Sequence, residues 1–228
     1  MQQAPLIHPF LSVGFLSAEY REDGNDVPIY RHASAFLIRE NFILSAAHTL
    51  VPRNDQQVLT GIRFHLWNRH GSRQVTDWKI HPNYDRTTAP AIFTNDIAVG
   101  RLIRGYKFRN DYWPLPLKSL DQQDRLEKRL LCAGYTDTHS GVWYAATDMA
   151  PWPRENIDRT WPLFFPPGTT RPTTSGGPVM ILREDGFPLV VGVIYGQATI
   201  NNREWGLAAP ILTNPTESFI REFIRNNS

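Results

Sequence analysis

The chain has 228 residues, 41% hydrophobic and 20% charged, which is enough to bury a full core and near the upper end of single-domain size. Its 24 Lys and Arg against 22 Asp and Glu leave a formal charge of +2, so it lacks the basic field of a dedicated nucleic-acid binder. A single cysteine, Cys132, excludes an intrachain disulfide and points to a reducing compartment, with the cytoplasm as the default. The opening MQQAPLIHPFLSVGF shows no secretory leader pattern. No stretch nears the roughly 18 apolar residues that cross a bilayer.

Taken in chain order, the apolar segments are short and of β type: Phe10 to Leu16, Ala35 to Ile38, Phe42 to Ala47, Arg63 to Trp67, Gln74 to Ile80, Ile97 to Ile103 and Leu130 to Tyr135. Val142 to Thr147, Pro178 to Leu182, Leu189 to Tyr195 and Trp205 to Pro210 follow. Gly, Pro, Asn and Asp clusters separate them, the pattern of an all-β barrel or sandwich with about a dozen strands. The 18 prolines agree, because proline collects in turns and edges. A charge-rich, strand-poor stretch containing LKSLDQQDRLEKR divides the chain. It predicts an N-terminal β-unit over 1–108, a linker over 109–128 and a C-terminal β-unit over 129–228. The last segment reads as a helix: Asn214 can cap, Pro215 suits the first turn, and Phe219, Ile220, Phe223 and Ile224 form one apolar stripe.

Three segments can carry chemistry: Leu44-Ser45-Ala46-Ala47-His48, Asn95-Asp96-Ile97-Ala98-Val99 and Thr174-Ser175-Gly176-Gly177-Pro178. A serine hydroxyl is a poor nucleophile near neutral pH. It needs an imidazole to take its proton, and the imidazole needs a carboxylate to fix its tautomer and stabilise its charge. Taken alone, each segment also has a plain structural reading: a packing histidine, a strand-start aspartate, an ordinary Ser-Gly-Gly-Pro turn. Asp85 is a rival carboxylate, but only Asp96 leads directly into an apolar strand. Thr173 breaks Gly-x-Ser-x-Gly, and the order His, Asp, Ser differs from that of an α/β-hydrolase. The other histidines, His8, His32, His65, His70, His81 and His139, show no zinc spacing, so no metal is expected.

In order and context the three segments resemble the trypsin-like, chymotrypsin-fold serine peptidases; His81-Pro82-Asn83-Tyr84, Val191-Gly192-Val193 and the terminal helix extend the likeness over most of the chain. The resemblance implies two packed six-stranded antiparallel β-barrels with a C-terminal α-helix, a cleft between them and no cofactor. It gives Ser175 the attack on the scissile carbonyl, His48 the base and then acid role, and Asp96 the orientation of His48. Backbone N–H groups of Thr173 and Ser175 would hold the oxyanion.

Two departures stand out. Thr173 stands where most relatives have glycine, and a β-branched residue at positive φ costs on the order of 1–3 kcal/mol. This leaves open a hole that stays closed until substrate or a partner forms it. Thr174 replaces the aspartate that pairs with a newly cleaved amino terminus in digestive and clotting relatives, and no Ile-Val-Gly-Gly start is present. The likeness is therefore to the disulfide-free, bacterial-type branch. Substrate contacts are expected from Thr169, Thr170, Ile194, Tyr195, Gly196 and Gly206, with Arg171 and Gln197 nearby. No acidic residue sits six before the serine, where the arginine- and lysine-cutting members of that family place one and Thr169 stands here, so the resemblance implies an uncharged residue of modest size before the cut. The expectation is a serine endopeptidase acting on a restricted protein or peptide substrate, with an activating partner as one means of control and no nucleic-acid or membrane partner. The alternatives are a catalytically silent pseudopeptidase serving as a binding module and an esterase on the same scaffold. Cys132, within Leu-Leu-Cys-Ala-Gly, reads as buried and inert.

Overall fold

The computed structural model describes residues 2–3, 9–66, 71–85, 95–106, 114–118, 129–136, 141–148, 163–166, 170, 173–183, 185–200, 202–211 and 214–228. Thirteen strands and one α-helix lie among them. Strands β2 (Val13–Glu22), β3 (Asn25–Arg39), β4 (Phe42–Ser45), β5 (Gln57–Leu66), β6 (Arg73–Ile80) and β7 (Ala98–Leu102) close a barrel in the order β2-β3-β4-β7-β6-β5. The second sheet contains β1 (Gln2–Gln3), β8 (Arg129–Tyr135), β9 (Val142–Asp148), β10 (Leu163–Phe165), β11 (Pro178–Leu182), β12 (Pro188–Ile200) and β13 (Arg203–Pro210). Its order is β1-β9-β8-β11-β12-β13-β10. Renumbered from β8, this is the winding of the first barrel, with a seam between β9 and β10 and β1 bonded to the far side of β9. The expected all-β double-barrel architecture with a C-terminal helix is thus the observed one, except that the second unit is a seven-stranded sheet left open at that seam rather than a closed six-stranded barrel.

Among the described residues the strands pair antiparallel throughout, with one isolated parallel bridge from Leu117 to Val190, and side chains alternate between faces along each strand. On β4 this sends Ile43 into the first barrel with Leu16, Tyr20, Leu37 and Phe64. Phe42 and Leu44 point the other way, into a layer shared with Met180, Val190 and Val193 of the second sheet. A third cluster, including Cys132, Phe165, Val179 and Ile194, fills the second sheet's own concave side. Each fully buried Leu, Val or Phe contributes about 1.5–3 kcal/mol, so the shared layer fixes the two sheets against one another.

Two further elements tie them. Leu115 N–H donates to Leu37 O of β3, while Lys118 N–H donates to Val190 O and Val190 N–H to Pro116 O, so the described part of the expected linker is bonded to both sheets. The terminal helix α1 (Asn214–Asn226) buries Phe219, Ile220, Phe223 and Ile224, the stripe read from the sequence; the Asn214 side chain lies outside the described residues. Phe223 meets Phe42 edge-on at 6.2 Å. His81 anchors the first turn: its Nδ1 accepts from Asn83 N–H at 3.2 Å, its Nε2 faces Thr216 Oγ1 at 3.5 Å, and its ring meets Phe219. Accepting at Nδ1 leaves the proton on Nε2, so the imidazole is neutral, and burial holds its pKa below the usual value. No helix among the described residues is long and apolar enough to cross a membrane.

Candidate active site

Register places the first two site residues. In the β4–β7 pair Ser45 lies opposite Ala98 and Leu44 opposite Val99, so continuing both chains past the strand ends brings Ala47 and His48 beside Asp96. There the chain turns through a short 3₁₀ segment, Ala47–Thr49. It is braced by Thr49 Oγ1 donating to Ala46 O at 2.6 Å and Tyr20 OH donating to Thr49 O at 2.7 Å. Burial raises the Tyr20 pKa to about 12, so the phenol stays a donor throughout the physiological range. Asp96 is fully buried and uses both oxygens on one residue: Oδ1 accepts from His48 N–H at 2.8 Å, and Oδ2 meets His48 Nδ1 at 2.7 Å. A carboxylate can only accept, so Nδ1 carries the proton and Nε2 is left as a proton acceptor.

Ser175 sits in the turn before β11. The turn passes so close to β3 and β8 that a Cβ on Gly176, φ +87°, would lie 2.0 Å from Ser34 O and 2.3 Å from Ser45 Oγ. A Cβ on Gly177 would lie 2.0 Å from Ala133 O. The Gly-Gly after the serine is therefore dictated by the approach of both sheets. Ser175 Oγ donates to Tyr195 O at 3.2 Å, and among the described residues no hydrogen bond joins it to His48. Thr173 adopts φ +72°, the left-handed value that a β-branched residue takes only under constraint. The constraint is visible: Thr173 Oγ1 donates to Tyr135 O at 2.9 Å, and Thr173 O accepts from Ser34 Oγ at 2.8 Å.

Of the expected substrate contacts, Thr170, Gly196 and Gly206 come together. Thr170 is buried, its Oγ1 donates to Gly196 O at 3.4 Å, and a Cβ on Gly206 would lie 2.9 Å from Thr170 Cγ2. Gln197 Nε2 donates to Thr170 O at 2.7 Å, fastening β12 to the segment before the serine. Ile194 and Tyr195 are buried, while space opens around Gly196. Thr169 and Arg171 lie outside the described residues. Beside His48 and Thr173 a cavity of about 630 Å³ is walled by Arg31, His32, Arg53 and Tyr84. The Arg31 guanidinium is held over the Tyr20 ring and bonds Val51 O and Gln57 Oε1.

Among the described residues no cluster of His, Cys, Asp and Glu suits a metal ion, and burial raises the Cys132 thiol pKa well above its ordinary value. The residue that sequence reading passes over is Ser34, fully buried on β3; its only signal is a hydroxyl in the otherwise apolar run Ala33 to Ile38.

The search of curated proteins returned no match. The sequence profile of the Trypsin family matches residues 17–161, more than half of the chain. The matched stretch contains His48 and Asp96 and ends before Thr173 and Ser175. With a closed six-strand barrel, a second sheet of the same winding and a terminal helix, the chain belongs to the trypsin family.

Proposed function

We propose that the protein is a serine endopeptidase that cleaves peptide bonds through an acyl-enzyme intermediate, with Ser175 as nucleophile, His48 as base and acid, and Asp96 as the residue that orients His48. The observation that carries this reading is the two-point grip of a fully buried Asp96 on His48, because it fixes the one tautomer in which Nε2 can take a proton. In the first step the Ser175 Oγ–H proton passes to His48 Nε2 as Oγ bonds the carbonyl carbon, and the carbonyl π pair becomes an oxyanion facing the N–H groups of Thr173 and Ser175. Collapse of that adduct breaks the C–N bond, and the leaving amine takes the proton from His48. Water then attacks the acyl carbon as its proton passes to the same Nε2, and collapse of this second adduct breaks the C–Oγ bond as His48 returns the proton to Ser175 Oγ, releasing the carboxylic acid. Ser175 Oγ bonds Tyr195 O here, so this reading requires the hydroxyl to turn to His48 Nε2 when substrate binds.

The buried Thr170 beside Gly196 and Gly206 supports a residue of modest size and no charge before the cut. The absence of any disulfide partner for the buried Cys132 supports a reducing compartment such as the cytoplasm. A second reading, a silent binding module, is favoured by one observation: the Ser175 hydroxyl is engaged with Tyr195 O. Reaction with a fluorophosphonate probe separates the two. A modification mapped by mass spectrometry to Ser175, and lost in Ser175→Ala and His48→Ala, supports the peptidase; an inert wild-type protein supports the binding module.

A further inference from the structure

Resting on that peptidase reading, we infer that Ser34 is a positioning residue for the oxyanion site, compensating for threonine rather than glycine at position 173. Its hydroxyl closes a ring of three hydrogen bonds: Ser34 Oγ donates to Thr173 O at 2.8 Å, Tyr135 N–H donates to Ser34 Oγ at 2.7 Å, and Thr173 Oγ1 donates to Tyr135 O at 2.9 Å. Ser34 N–H donates to Ser175 O at 2.7 Å, so one residue of the first barrel grips the nucleophile turn at both ends. The grip is itself seated, since Ser34 O accepts from Ser45 Oγ at 2.8 Å, three residues before His48. Ser34 therefore connects the strand that leads to the base with the turn that carries the nucleophile.

A threonine at φ +72° relaxes toward negative φ unless its neighbours hold it, and such a rotation re-aims the peptide groups on either side, including the N–H that would face the oxyanion. The ring holds both the carbonyl and the side chain of Thr173, so the β-branched side chain that strains the position also supplies one of the bonds that fix it. Glycine takes positive φ without strain, which makes the inference testable: Ser34 should matter with threonine at this position and matter little with glycine.

The experiment is a double-mutant cycle of Ser34→Ala and Thr173→Gly in the full chain, read by the rate of fluorophosphonate labelling and by thermal unfolding. Removing the Ser34 hydroxyl strips Tyr135 N–H of its acceptor, and Thr173→Gly takes the donor from Tyr135 O, so the shared ring alone gives coupling in unfolding and the labelling rate decides the positioning role. The expected result is a labelling rate about tenfold lower for Ser34→Ala alone, a change of about twofold or less when Thr173→Gly is also present, and a Tm loss larger by about 2–4 °C with threonine than with glycine. Additive effects in both readouts overturn the inference. Coupling in unfolding without coupling in labelling overturns the positioning role and leaves a structural clasp. A wild-type protein that does not label overturns the peptidase reading instead, while the unfolding cycle still decides whether Ser34 holds Thr173.

Discussion

The two halves of the site are held in different ways. His48 and Asp96 belong to one closed barrel, and the β4–β7 register, the Tyr20 brace and a double hydrogen bond set their relation. Ser175 belongs to a turn between two strands of the other sheet, and its backbone is gripped from across the interface by Ser34. The proposed base is placed within a single barrel, whereas the turn of the proposed nucleophile is tied to its own sheet by Gly176 N–H donating to Ile194 O and Ile194 N–H donating to Gly177 O and is clasped from the other barrel by Ser34, so its geometry depends on how the two sheets meet. The Ser175 hydroxyl, turned to Tyr195 O, sits at that meeting of sheets.

The largest expected effect comes from breaking the rigid half. Asp96→Asn keeps the shape but puts an amide where His48 needs an acceptor at both N–H groups, and kcat for peptide hydrolysis should fall about 10⁴-fold with little change in the far-UV circular dichroism. Next is the crowded turn after Ser175. Gly176→Ala places a methyl group within 2.0 Å of Ser34 O at φ +87°, and chemical denaturation should show a loss on the order of 3 kcal/mol or more. Tyr20→Phe sharpens the comparison: without its bond to Thr49 O stability should drop by about 1 kcal/mol. Labelling of Ser175 should then slow through the base, with Thr173 left as it is.

The smallest effect is a pH dependence outside the site. Burial lowers the pKa of both His81 and His65, with Arg63 adding to the shift of His65. Below the unfolded value of about 6.5 the unfolded chain then binds more protons than the folded one. Stability is complete above that pH and is lost as pH falls from it toward the depressed folded values. Thermal unfolding between pH 7 and 5 should show this slope, and His81→Gln should flatten it; an unchanged slope would remove His81 from the account.

Much of this was legible because strands that bury a face announce themselves. Pro178–Leu182 appears with the bounds read from its apolar run, and the motifs at strand ends pointed to His48, Asp96 and Ser175 as candidates. The outer arms of the β2–β3 hairpin were not legible by apolar content, since the β3 arm carries exposed Asn25, Asp26, Val27 and Tyr30; Asp23-Gly24, with Gly24 at φ +77°, was the available turn signal. Strands β1 and β10, two and three residues long, are too short to show a period. Ser34 escaped for another reason. A serine between two alanines looks like filler, and its partner Thr173 is 139 residues away, a relation that no local pattern encodes.

The most direct test of the central claim is a crystal structure of the fluorophosphonate adduct. The account predicts phosphorus bonded to Ser175 Oγ, that oxygen turned away from Tyr195 O, and the phosphoryl oxygen within about 3 Å of the N–H groups of Thr173 and Ser175, with Thr173 still at positive φ. An adduct on another residue, or one whose phosphoryl oxygen points away from both N–H groups while Thr173 sits at negative φ, would contradict it.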